Sequence, residues 1–284
     1  VRRRVGFLFG LVGVAAACAR PARDVAQANS PTSVVVESVS ASSGAAAGEW
    51  AAGEWAAGEW SRETRWQRLP VPGFLDAEVV VPPAGGRPKP VLVVAHGAGD
   101  RPEPHCFNWG EIVRTRGFVV CVRGVRTDNR VPHEFAGYYY PEHHMLTRLV
   151  RGALEAARER FGERIDVDGA AFSGFSQGSL MGALVVARHP TWFTRALFIE
   201  GGGDAWSRGI ARRYAAGGGQ RIAFLCGTGW CRGPAERSAP WLEGAGLEVR
   251  VDMLPGAGHT TSGAVRRRMP EVFDWLVADD PRWQ

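Results

Sequence analysis

Gly174-Phe175-Ser176-Gln177-Gly178 lies between two apolar runs of different character. Ahead of it, Val167 to Phe172 is short and mostly apolar, as a buried strand is. Behind it, Ser179 to Arg188 carries Leu180, Met181, Ala183, Leu184, Val185 and Val186, with no proline before Pro190, and predicts a buried helix. The pentapeptide therefore reads as a strand-to-helix turn with a serine at its apex. Gly174 and Gly178, two positions to either side, leave room for strand and helix to close on each other. A helix N-terminus directly after Ser176 would also favour negative charge developing beside it.

A nucleophilic serine needs a base and donors for an oxyanion. Val91 to Ala95 is a continuous apolar run, as a strand buried on both faces should be. It ends in His96-Gly97-Ala98-Gly99-Asp100, a glycine-rich turn in which the Ala98 N–H could face the oxyanion, with the Gln177 N–H as second donor. Near the C-terminus, a strand from Val249 to Leu254 leads into Pro255-Gly256-Ala257-Gly258-His259-Thr260. Of the seven histidines, His259 has both the chain position and the loop expected of a base. His96 is better placed to support its own turn.

These three segments, in this order, resemble the signatures of bacterial α/β-hydrolases. The nearest group is the phospholipase/carboxylesterase and acyl-thioesterase-like family, in which G-F-S-Q-G is the usual form of the serine turn. The resemblance covers roughly residues 66–278. It implies a mainly parallel sheet flanked by helices, a Ser176–His259 pair, and acyl transfer from an ester or thioester without a cofactor. It also implies a triad aspartate after the penultimate strand, and here the chain departs from the pattern. The strand Arg221 to Cys226 is followed by Gly227-Thr228-Gly229-Trp230-Cys231, which has no carboxylate. Glu200 and Asp204, just after the strand Ala196–Ile199, are the favoured substitutes, since some lipases of this fold carry their acid there. Glu236 and Asp252 are further candidates, and a dyad without an acid is a further alternative.

Net charge is +5, yet all but one of the 34 basic residues are arginine, and they are spread along the chain. No clustered basic stripe marks a nucleic-acid partner. Val1-Arg2-Arg3-Arg4 and the short apolar run that follows read as a signal peptide over 1–17. Ala15-Ala16-Ala17-Cys18 resembles a lipobox, so Cys18 is the candidate for lipidation and membrane anchoring in a bacterial cell envelope. In an oxidising compartment the remaining cysteines would pair, and Cys226–Cys231 with Cys106–Cys121 is the favoured arrangement of three. No C-x₂-C pair suggests zinc, and no metal is expected.

Residues 18–63 are rich in Ala, Ser and Gly and contain Ala-Ala-Gly-Glu-Trp repeats, which reads as a disordered tether. From 64 to 284 strands and helices alternate, which predicts one α/β domain, with an antiparallel pair at its start and no connection long enough for a large cap. Helices are expected at Trp109–Arg116, Pro141–Phe161, Gln177–Arg188, Pro234–Gly244 and Ala264–Val277. Between them, 124–140 could line an acyl or leaving-group pocket, or could be a solvated loop whose tyrosines pack on the next helix. The sum is an exported monomeric serine hydrolase acting on a small-molecule ester. The alternatives are a non-catalytic envelope or binding protein with a degenerate triad, and a serine peptidase of the same fold.

Overall fold

The structure, a computed structural model, describes residues 65–284. The expected leader (1–17), Cys18 and the repeat-bearing tether (18–63) lie outside the described residues. Eight strands form the main sheet: β1 (Trp66–Leu69), β2 (Ala77–Val80), β3 (Lys89–Ala95), β4 (Phe118–Val122), β7 (Ile165–Phe175), β8 (Phe193–Ile199), β9 (Arg221–Cys226) and β10 (Glu248–Met253). Their spatial order is β1-β2-β4-β3-β7-β8-β9-β10. The β1–β2 and β2–β4 ladders are antiparallel, and every ladder from β4 to β10 is parallel. A short hairpin, β5 (Val125–Arg126) with β6 (Tyr138–Tyr139), stands apart from the sheet.

Among the described residues there are six α-helices, five between strands and the sixth after the last strand: α1 (Pro102–Val113), α2 (His143–Phe161), α3 (Gln177–Arg188), α4 (Arg208–Ala216), α5 (Gly229–Glu243) and α6 (Gly263–Val277). Alternation along β3 shows how the layers form. Val91, Val93 and Ala95 join the core that holds Leu149, Val186, Tyr214 and Leu242 of α2 to α5. Leu92 and Val94 point the other way, into the core that holds Trp109, Val265 and Phe273 of α1 and α6. Helices thus cover both faces, which is why the central strands can be apolar on every residue. Among the described residues no helix is long and apolar enough to cross a membrane, and no connection inserts a large cap over the sheet.

Two helix starts differ from expectation. α1 opens at Pro102 rather than Trp109. Arg101-Pro102-Glu103-Pro104 looks like a breaker, but a proline at N1 lacks only an N–H that has no intrahelical acceptor there. α5 opens at Gly229, and Pro234 lies inside it rather than starting it. The helix tolerates the lost backbone bond because Cys231, Ala235, Ser238 and Leu242 bury one face, while Cys231 is bonded to Cys226 at the end of β9.

The second bridge, Cys106–Cys121, joins α1 to β4 across a separation of 15 residues. Both cysteines are fully buried. Replacing both with serine is expected to lower unfolding free energy by about 3 kcal/mol, the chain-entropy value for a loop of that length. Chemical denaturation of wild type and double variant measures it.

Candidate active site

The serine turn forms at the carboxyl end of β7. Ser176 has φ 52° and ψ −116°, a left-handed backbone that side chains other than glycine rarely adopt. The Ser176 N–H donates to the Ile199 carbonyl at 2.9 Å, so the sheet ladder holds the strained residue in place. Room for the turn is minimal. A Cβ on Gly178 would sit 2.3 Å from the Ala95 carbonyl oxygen, and one on Gly174 would sit 2.5 Å from the Gly178 backbone. Ser179 adds a lock absent from the sequence reading: its buried hydroxyl lies 2.6 Å from the Gly174 carbonyl and 2.8 Å from that of Ile199.

His259, on the loop after β10, places Nε2 2.9 Å from Ser176 Oγ. Its Nδ1 lies 3.5 Å from Glu200 Oε2. Glu200 follows β8, the strand beside the one that carries Ser176, and its side chain is 0 % exposed. A buried carboxylate is costly without donors. Two come from the loop that lacks an acid: the Gly227 N–H donates to Oε1 and the Thr228 hydroxyl to Oε2. Gly227 also lets the histidine loop approach, since a Cβ there would meet the Gly258 carbonyl oxygen at 2.3 Å. Of the two carboxylates favoured by the sequence reading, Glu200 is therefore the one that faces His259. Asp204 is exposed and pairs with Arg237. Glu236 pairs with Arg232 one helical turn earlier, and Asp252 with Arg250 on β10.

The glycine turn after β3 packs directly on the serine: a Cβ on Gly97 would lie 3.4 Å from Ser176 Cβ. Ala98 follows it in the chain and is exposed. The Gln177 amide opens α3, where first-turn N–H groups have no intrahelical acceptor. The Gln177 amide thus follows Ser176 directly, and the Gly97 backbone packs against the serine side chain. The Gln177 side chain pairs twice with Tyr140, accepting from its N–H at 2.9 Å and donating to its carbonyl at 3.1 Å.

Tyr138 and Tyr140 are fully buried, so these two tyrosines of 124–140 neither line an open pocket nor merely rest on α2. Tyr140 Oη accepts from the His96 N–H at 3.1 Å and donates to the Val122 carbonyl at 3.2 Å. The His96 ring is engaged at both nitrogens. Nδ1 lies 2.7 Å from the Gly97 carbonyl, and Nε2 accepts the Gly124 N–H at 3.2 Å. That pattern needs the neutral ring with its proton on Nδ1, and burial pushes its pKa down to about 4. A buried ion-pair cluster ties the neighbouring loop down: Arg123, 1 % exposed, bonds Glu78 and Glu103, and Arg101 joins Glu103 to the carbonyls of His133, Glu134 and Ala136.

The arrangement places Ser176 Oγ within proton-transfer reach of His259 Nε2 while Glu200 faces the opposite ring nitrogen, and the Gln177 amide opens the helix directly after the serine. Among the described residues no group of three or more His, Cys, Asp and Glu side chains could hold a metal ion. The roles of the Thr228, Ser179 and Tyr140 hydroxyls escaped sequence reasoning, because each bonds, through one hydroxyl, a partner 18 or more residues away in the chain: Glu200, the Ile199 carbonyl and the Val122 carbonyl.

No family model and no curated protein sequence matches the chain. Solved structures do match in fold. A dienelactone hydrolase from Anabaena variabilis superposes with a TM-score of 0.56 at 14% identity, covering 75% of this chain and 98% of its own. Est1E from Butyrivibrio proteoclasticus gives 0.51 at 12% identity, covering 75% and 99%. The Bacillus cereus carboxylesterase gives 0.50 at 18%, covering 66% and 89%. At such identities the likeness establishes architecture: the described domain has the α/β-hydrolase fold.

His96 makes a pH prediction. Its pKa falls from the ordinary 6.5 to about 4 on folding, so between those values the unfolded chain binds one proton more. Stability is therefore expected to fall as pH drops through 6.5, with the His96 contribution exhausted below about 4. In His96→Asn the slope of unfolding free energy against pH within that window should be smaller by about 1.4 kcal/mol per pH unit. Denaturant titrations at several pH values give both slopes.

Proposed function

We propose that the protein is a serine hydrolase that cleaves carboxylic ester or thioester bonds through an acyl-enzyme. The observation that carries this reading is the Ser176–His259–Glu200 line: Oγ to Nε2 at 2.9 Å, Nδ1 to carboxylate at 3.5 Å. Ser176 Oγ attacks the carbonyl carbon as its proton passes to His259 Nε2. The Ala98 and Gln177 amides take the oxyanion of the tetrahedral intermediate. Collapse breaks the bond to the leaving alcohol or thiol, which departs with the proton from Nε2. Water then attacks the acyl-enzyme, again giving its proton to His259, and the acid leaves as Ser176 is restored. Glu200 keeps the Nδ1 proton facing it, so that Nε2 is free to accept.

That dienelactone hydrolases and esterases share the fold supports hydrolysis of esters. The non-catalytic alternative rested on a missing acid, and a buried carboxylate beside His259 favours catalysis over it. The location follows the same reading. Two cysteine pairs at bonding distance suit an oxidising compartment, and with the leader-like 1–17 and Cys18 they support an exported, envelope-anchored enzyme.

A fluorophosphonate probe is expected to label wild type and leave Ser176→Ala unlabelled. With p-nitrophenyl acetate, Glu200→Gln should lower kcat by about 10³ to 10⁴, while Asp204→Asn stays close to wild type. Unlabelled wild type in the folded state, or equal losses from Glu200→Gln and Asp204→Asn, would contradict the assignment.

A further inference from the structure

The leaving oxygen must come within hydrogen-bond reach of the nitrogen that protonates it. On the serine-hydrolase reading, that nitrogen is His259 Nε2. The alcohol part of an ester therefore departs past the groups that flank the His259 ring, while the acyl part stays on Ser176. Two aromatic rings flank it. Phe175 has its centroid 5.0 Å away and Trp230 5.2 Å, each tilted by less than 40° to the imidazole, at 36° and 37°. Phe175 is half-buried, and its ring closely approaches Gly97. Trp230 differs: 48 % of it is exposed, an unusual state for the largest apolar side chain.

That exposure is built in. Trp230 lies within the turn closed by the Cys226–Cys231 bond, and both cysteines are buried. Thr228 in the same turn is tied to Glu200. The backbone is thus anchored on both sides of the indole, and Trp230 stays beside the base. The position is also where the resemblance would place an acid. With that duty moved to Glu200, the turn carries a flat apolar surface instead.

We propose that Trp230 is the wall of the alcohol-side subsite, and that the preferred substrates are esters whose alcohol moiety is a planar aromatic group. A flat ring covers more of an indole face than a short alkyl chain does, and offset stacking adds to the area buried. Contact of this kind forms on binding and persists to the transition state, so it acts chiefly on KM.

The test uses three esters: 2-naphthylmethyl acetate, ethyl acetate, and ethyl 2-naphthylacetate, which moves the aromatic group to the acyl side. Trp230→Ala is expected to lower kcat/KM for 2-naphthylmethyl acetate about tenfold, mainly through KM, and to leave the two ethyl esters within about twofold of wild type. Trp230→Phe, which keeps a ring, should recover most of the loss. Equal losses on all three esters would overturn the proposal and make Trp230 a support for His259. A loss confined to ethyl 2-naphthylacetate would overturn it in favour of an acyl-side wall. If wild type takes up fluorophosphonate and turns over ethyl acetate but Trp230→Ala changes nothing, the subsite fails and the hydrolase reading stands. If wild type neither takes up the probe nor turns over any of the esters, both fail.

Discussion

The rest of the site depends on the close approach of β3, β7 and α3 around Ser176. That approach leaves no space for a single carbon atom at Gly174 or Gly178. It forces Ser176 into left-handed backbone, and strain of this kind costs on the order of 1–3 kcal/mol. Sheet hydrogen bonding and the Ser179 hydroxyl hold the turn against that cost. The result is a serine side chain lifted off the sheet edge, with a helix N-terminus on one side and the Gly97–Gly99 turn on the other. The imidazole then comes from the loop after β10 and the carboxylate from the end of the adjacent strand β8.

On the serine-hydrolase reading proposed above, the acid comes from the end of β8 and not from the loop after β9. Ser176 and Glu200 end neighbouring parallel strands, paired up to Phe175 and Ile199. From the end of β8 the Glu200 carboxylate reaches the histidine loop, with Oε2 3.5 Å from His259 Nδ1. The β9 loop still takes part, but as donor rather than acid, through the Gly227 amide and the Thr228 hydroxyl. The position freed by this exchange is held by Trp230, inside a disulfide-closed turn.

A second layer of polar contacts backs the serine turn. Buried His96 and Tyr140 and half-buried Gln177 form a chain of polar groups from the end of β3 to the start of α3. The contacts described here pair the groups in that chain with strong geometry, the condition under which a buried network rigidifies rather than weakens a core. Arg123 ties the loop beyond through its ion pairs with Glu78 and Glu103.

The amino-acid sequence by itself determined the order of strands and helices from Trp66 onward, the serine turn, the glycine turn before it and the histidine loop after it. Those features are local: a run of apolar residues, two glycines at fixed spacing, a histidine in a Gly-rich loop. The helix starts at Pro102 and Gly229 differ from the expected Trp109 and Pro234, because a proline's missing N–H is harmless at a helix start and packing can carry one inside a helix. Which carboxylate meets His259, if any, was left open: Glu200 and Asp204, four residues apart, were favoured over Glu236, Asp252 and a dyad without an acid. Only the tertiary structure decided it, because the choice depends on which way a side chain leaves the end of β8. Glu200, in left-handed backbone at φ 53°, turns inward onto donors from β9, whereas Asp204 turns out to Arg237. The same holds for Thr228, Ser179 and Tyr140, whose single hydroxyls find their partners only when distant strands are brought side by side.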